Sequence, residues 1–214
     1  MLRRQTRFPT PLMPLHSIRL AEAFRLFDAA NSEDPNLETG DDGQSIAKEL
    51  LYAQRMSACL ARVAPDAPEA VQLAARAQHI RRWSIPRADF PMTRPGYHQW
   101  RNTLKKYHAE LAGQLMAQAG YEPELIERVQ QLLQKLRLKD DPEMQLLEDI
   151  ICLVFLEYYF LPFAAQHPEE KIIEIVQKTW PKMTERGHAL ALQLPFTPEA
   201  LALVSKALTG KEVN

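Results

Sequence analysis

Residues 142–163 read PEMQLLEDIICLVFLEYYFLPF, a run that is apolar on nearly every face of a helical projection. A helix of that kind is wrapped by other helices instead of lying on a surface. Asp141 and Pro142 open it, since proline is tolerated in the first turn, where its missing N–H has no helical partner. The fold expected from this stretch is all-α, a single multi-helix bundle around a central apolar helix at about 142–163. Glu148, Asp149 and Glu157 interrupt that helix. A buried carboxylate costs several kcal/mol unless it is neutralised, hydrogen-bonded or bound to a cation, so these three require partners from other elements.

The rest of the chain also supports helices: glycines number 7, and no alternating apolar-polar stretch of strand length occurs. Ser17 caps a first helix that buries Leu20, Phe24 and Phe27. A second, over 45–63, carries Ile46, Ala53, Met56 and Leu60 on one row, and Glu49 falls on that row. Asp66 and Glu69 have the spacing of a capping box for a third helix, which is expected to continue to Trp83. Prolines 86, 91 and 95 make 84–95 an irregular connector. A long helix over 97–119 faces the core with Trp100, Leu104, Leu111 and Leu115, and His108 shares that face. Pro123 opens a fifth helix with Ile126, Val129 and Leu133 inward, and shorter helices over 169–180, from 184, and over 198–208 close the chain. The acidic loop 40–43 lacks calcium-loop spacing and reads as solvated. Residues 1–16, basic and proline-broken, read as a disordered leader, which leaves 17–214 as one helical domain.

The formal net charge of −1 hides an asymmetry: between Arg76 and Lys106 eight Lys or Arg face one acid, Asp89, giving +7, so the remainder carries −8. A basic segment in an acidic remainder suits one anionic ligand and argues against nucleic acid or an acidic membrane as the partner. Cys59 and Cys152 lie far apart in apolar helical patterns, as reduced thiols of a cytoplasmic protein do. The most apolar run, 150–165, is broken by Glu157 and Pro162 and is too short to cross a bilayer. Neither a P-loop, a dinucleotide-binding glycine fingerprint nor a glycine-flanked nucleophilic serine occurs.

Glu49, His79, His108 and Asp149 fall on core-facing rows of four different helices. Convergence of imidazole nitrogens and carboxylate oxygens from separate helices is what one divalent metal ion in a bundle requires. The competing reading is a hydrogen-bonded polar core without metal. Arg76, Arg81 and Arg82, with Glu148, are the candidates to act on an anion above that set, and Arg87, Arg101 and Lys105 the candidates to hold it. A guanidinium fork matches phosphate or carboxylate, so the expected partner is a phosphorylated small molecule or nucleotide. Alternatively, several of these cations neutralise the buried acids. Trp83 and Trp100 either stack a base or pack in the core.

The segments Glu49-Leu50-Leu51-Tyr52-Ala53-Gln54-Arg55-Met56, Ala74 to Trp83, and Leu147-Glu148-Asp149-Ile150 through Phe155-Leu156-Glu157-Tyr158 are similar to an uncharacterised domain-of-unknown-function family of bacteria and plants, over nearly the whole chain from about Leu20. Some members carry the label glutamyl-tRNA synthetase. Lys182-Met183-Thr184 resembles a synthetase signature loop, but without a His-Ile-Gly-His segment or a nucleotide-binding α/β pattern that label is rejected. The helical order also resembles, more distantly, the HD-type metal-dependent phosphohydrolases. That resemblance implies an HD-like fold, places His79 at the histidine of the His-Asp pair, His108 at the histidine of the following long helix and Asp149 at the final aspartate, and likens the stretch from Gly120 to Pro142 to the linker between these helices. Departures are Ile80 where the paired Asp belongs, Glu49 in place of the first His, and Lys135-Leu136 near a position where histidines are common. Loss of the paired Asp removes a hard oxygen ligand and an activator of water. What the resemblance then implies is a one-metal phosphohydrolase or a non-catalytic anion-binding or regulatory descendant.

Overall fold

The computed structural model describes residues 15–40, 42–136 and 140–209. The leader expected over 1–16 lies outside these residues through position 14, as do Asp41 of the acidic loop and positions 137–139 of the linker stretch. The architecture is an all-α multi-helix bundle, as the apolar run at 142–163 requires.

Helix α1 (Leu15–Ser32) leads into a short antiparallel hairpin, β1 (Leu37–Thr39) and β2 (Ser45–Ala47), with Leu37 opposite Ala47. Strands this short show no alternation over a useful window, so the sequence pattern does not announce them. The hairpin feeds directly into α2 (Lys48–Val63), whose cap residue Ala47 offers no side-chain acceptor. Asp34 supplies it from before the hairpin, its Oδ2 accepting the Glu49 N–H at 3.1 Å. One of the orphan donors of the first turn is thereby satisfied.

The capping box expected at Asp66 does not form. Pro68 occupies the cap position of α3 (Glu69–Ala77), and the Glu69 carboxylate accepts the Tyr121 hydroxyl at 2.6 Å instead. Helix α3 also stops at Ala77, before His79. Arg81 takes a left-handed conformation (φ 48°, ψ 38°), its N–H donates to Asn31 Oδ1 at 3.0 Å, and residues Arg82–Ser84 form a single 3₁₀ turn. Helical spacing therefore no longer governs where Arg81 and Arg82 point.

Helix α4 (Arg94–Gln118) begins ahead of its expected start, because the Thr93 hydroxyl accepts the Gly96 N–H at 3.2 Å and Pro95 fits the first turn. Helix α5 (Pro123–Gln134) packs along it and ends at Lys135, another left-handed residue (φ 58°). The central helix is α6 (Pro142–Val154), capped by Asp141 and flanked by α2, α3, α5 and α9. It passes through a π turn, Phe155–Tyr159, into α7 (Phe160–Ala164), so the expected single helix carries a bulge near its end. The bulge brings Glu157 to Arg62, 2.5 Å away. Helices α8 (Glu169–Thr179), α9 (Glu185–Ala191) and α10 (Pro198–Thr209) complete the bundle. Phe27, Met56, Leu73, Ile80, Met116, Leu132, Met144, Leu147 and Ile150 form its interior. Cys59 and Cys152 are buried, unpaired thiols, and burial pushes them up to about 11 and about 12.

Candidate functional site

Glu49 and Tyr52 lie one turn apart on α2, and the turn after α3 presses the His79 ring onto Tyr52, with centroids 4.1 Å apart and planes 14° from parallel. His79 Nδ1 stands 3.4 Å from Glu49 Oε2, while Nε2 stands 3.1 Å from Arg82 Nη1. A guanidinium only donates, so Nε2 accepts and the ring proton sits on Nδ1, toward the Glu49 carboxyl. His108, on α4, stands 6.1 Å from His79 between ring centroids. Its Nδ1 donates to the Ile80 carbonyl at 2.8 Å, and its Nε2 is a buried lone pair without a hydrogen-bond partner among the described residues.

These contacts set the protonation states. Burial, aided by the positive charge of Arg82, holds His79 well below the ordinary imidazole range, and burial holds His108 at about 3. Burial raises Glu49 to about 7, against the opposing pull of Arg82 and Lys48 and with that of Asp34. Near neutral pH the core of the site thus holds two neutral imidazoles and a carboxyl that is only partly ionised, beside a guanidinium.

Arg82 is the cation closest to this core. One face of its guanidinium covers the Trp100 ring, 4.8 Å from the centroid, and the Trp100 Nε1–H is fixed on the Ile85 carbonyl at 2.9 Å. Among the described residues its one hydrogen-bond partner is His79, with no carboxylate in ion-pair contact. Arg101, Lys105 and His108 follow at i, i+4 and i+7 on α4, which places them on one stripe. Arg101 donates to the Tyr97 hydroxyl at 3.2 Å. Lys105 is half-buried, has no hydrogen bond or ion pair among the described residues, and is depressed by burial and then by the charges of Lys135 and Arg101. Lys135 reaches in from the end of α5 to Glu148 on α6, both side chains being largely buried.

The other residues singled out from the sequence go elsewhere. Asp149 is buried, yet both oxygens are committed to the start of α9: Oδ1 accepts the Thr184 N–H at 2.8 Å and Oδ2 the Thr184 hydroxyl at 2.5 Å. A Cβ at Gly187 would stand 2.6 Å from Asp149 Oδ1, so glycine is what lets α9 approach. Arg76 forms a two-pronged pair with Asp28, at 2.7 and 2.5 Å, clamping α3 to α1. Arg81 pairs with Glu33 at 2.8 Å. Arg87 donates to the carbonyls of Phe90, Pro91 and Thr93 and pins the connector. Of the expected anion-facing set, Arg101 and Lys105 share one stripe of α4, the charge of Arg101 is felt at Arg82 and that of Glu148 at Lys105, while Arg76, Arg81 and Arg87 turn to structural partners.

The expected metal set does not fit a metal ion as arranged. Glu49 faces one nitrogen of His79, a guanidinium covers the other, and Asp149 is spent on Thr184. Among the described residues no group of three or more His, Cys, Asp or Glu side chains is placed to hold a metal ion.

Tyr52 and Lys135 are not among the candidate site residues read from the sequence, where Lys135 stands only as a departure from the HD-type pattern. Tyr52 lies three residues after Glu49, so helical spacing alone could have placed the two side by side. Lys135 left no such signal, because its inward path depends on a left-handed backbone at a helix end.

No curated protein and no solved structure matches this chain. A family model does, over residues 21–204, which takes in the hairpin, the histidine pair, the cationic stripe and the central helix. The chain belongs to DUF4202, a family defined by a domain of unknown function.

Proposed function

We propose that the protein binds a phosphorylated small molecule or nucleotide at Arg82, as a non-catalytic or regulatory module whose site is HD-like in layout and lacks a metal. The observation that carries this reading is the Arg82 guanidinium: it is stacked on Trp100, bonded to a neutral imidazole and, among the described residues, in ion-pair contact with no carboxylate. A guanidinium with donors to spare is matched by an oxyanion in fork geometry. The charge of Arg101 is felt at Arg82, those of Arg101 and Lys135 at His79 and Lys105, and they are opposed by Glu148 at Lys105 and by a partly protonated Glu49 at Arg82. Ile80, wholly buried, stands where an HD-type catalyst needs aspartate, so water activation by that residue is lost. In this reading Arg82 supplies the permanent positive charge that a metal supplies in a hydrolase.

The test is binding of inorganic phosphate and of a nucleoside monophosphate to protein purified without chelators, with metal content measured on the same sample. The reading expects saturable binding, substoichiometric metal and strong weakening in Arg82→Gln. Bound metal near one equivalent, with phosphate binding lost on its removal, would replace it with the one-metal phosphohydrolase.

A further inference from the structure

Lys135 sits where a helix usually ends in glycine: one residue past α5, at φ 58° and ψ 44°, with its N–H returned to the Gln131 and Leu132 carbonyls. A side chain with a Cβ is disfavoured there, and glycine adopts the conformation freely. Strain of this kind persists where the surrounding structure enforces it, and it collects at ligand sites. Only two described non-glycine residues take positive φ, Lys135 and Arg81, and Arg81 immediately precedes Arg82. Arg81 thereby sets the course of the chain into Arg82, and Lys135 ends α5 beside Glu148.

The Lys135 ammonium is turned inward, its side chain 12% exposed, and meets Glu148, 5% exposed. Lys135 contributes to the positive field at His79 and, alongside Arg101, at Lys105. Glu148 in turn is felt at Tyr52, beneath the His79 ring, and at Lys105. The pair thus stands where the end of α5 meets α6, and its charges are felt at His79, Tyr52 and Lys105.

Resting on the reading of the Arg82 site as an anion pocket, we propose that Lys135 is a ligand-contacting residue and that Glu148 is its resting partner, occupying the ammonium until a phosphoryl group takes it. The exchange replaces one ion pair by another and needs no chemistry beyond hydrogen bonding. It also gives Glu148 a role in selectivity, because a weakly charged anion competes poorly against a buried carboxylate whereas a dianionic phosphate monoester competes well.

Glu148→Gln provides the background for the test, since it removes the competitor without orphaning a charge when Lys135 is changed. Phosphate affinity, read by titration of the backbone amide spectrum, is compared in wild type, Glu148→Gln, Lys135→Gly/Glu148→Gln and Arg82→Gln, with melting curves for each. The proposal expects Glu148→Gln to bind phosphate about threefold or more tightly than wild type, and the double variant to bind about tenfold or more weakly than Glu148→Gln. The double variant should melt no lower than Glu148→Gln, because glycine relieves the backbone. Equal affinities for the double variant and Glu148→Gln, with Arg82→Gln still defective, would overturn the role of Lys135 and leave the pocket standing. Absence of phosphate binding in wild type and Glu148→Gln alike would overturn both.

Discussion

Replacing Glu49 by glutamine should stabilise the protein, and by an amount that depends on pH. The Glu49 carboxyl is 7% exposed as a residue, and burial moves it from an ordinary value of 4.5 to about 7. Between those two values the folded chain holds a proton that the unfolded chain has released. Unfolding therefore releases a proton, and stability falls as pH rises through this window. The cost is absent below 4.5 and complete above about 7. At about 1.4 kcal/mol per tenfold change in proton activity, the full cost is about 3 kcal/mol. Glutamine cannot ionise, keeps a carbonyl oxygen for the His79 Nδ1–H, and occupies nearly the same volume. Urea denaturation of wild type and Glu49→Gln should give equal stabilities near pH 4.5 and a gap growing to about 3 kcal/mol in favour of the variant at pH 8. A gap that does not change with pH, or a variant less stable than wild type at pH 8, would show that burial does not hold a proton on Glu49. The second outcome would mean that Glu49 is ionised and pairs with Arg82, which would leave that guanidinium no capacity for an external anion.

Further outcomes follow from the same geometry. His108 is held at about 3 against an ordinary 6.5, so the folded chain refuses a proton that the unfolded chain accepts; this contribution is complete above 6.5 and lost as pH falls toward 3. His108→Gln should accordingly resist acid better, moving the acid-unfolding midpoint down by about half a pH unit or more, and an unchanged midpoint would contradict the assignment. Asp149→Ala leaves the Thr184 amide and hydroxyl without their acceptor and should cost about 3 kcal/mol, with the loss seen first as faster hydrogen exchange in α9; unaltered exchange there would show the cap is dispensable. Gly187→Ala pushes a methyl against Asp149 and should cost about 1–3 kcal/mol by thermal melting, whereas a melting temperature at or above that of wild type would show that α9 can shift to make room.

The fold was legible because its decisive signal is crude: α6 is apolar on nearly all sides, and no arrangement but burial among helices suits it. Glu49, His108, Glu148 and Asp149 stood out as buried polar residues for the same reason, each lying on an apolar row. Where those polar groups would go was not legible. The partner of Asp149, Thr184, lies 35 residues away on a helix whose N-terminus happens to meet α6, and nothing in a periodic pattern encodes that meeting. Arg76, Arg81 and Arg82 look equivalent in sequence, but α3 ends at Ala77 and Arg81 turns left-handed, so the three diverge to Asp28, Glu33 and His79. Lys135 was hidden by the same physics, since a helix-end lysine ordinarily points to solvent near the carbonyl end of the dipole. The two-stranded hairpin was too short to show a period, although it is what brings Asp34 to the first turn of α2.

In the proposed function Arg82 holds a phosphate-bearing anion without a metal. The most direct measurement of that binding is an isothermal titration of inorganic phosphate into metal-depleted wild-type protein and Arg82→Gln at fixed ionic strength, with circular dichroism confirming that both are folded. Binding to the wild type is expected to be saturable in the absence of metal, and binding to the variant at least about tenfold weaker. Phosphate affinity that is the same in both proteins, or that emerges in the wild type only when a divalent metal is restored, would contradict the proposed function.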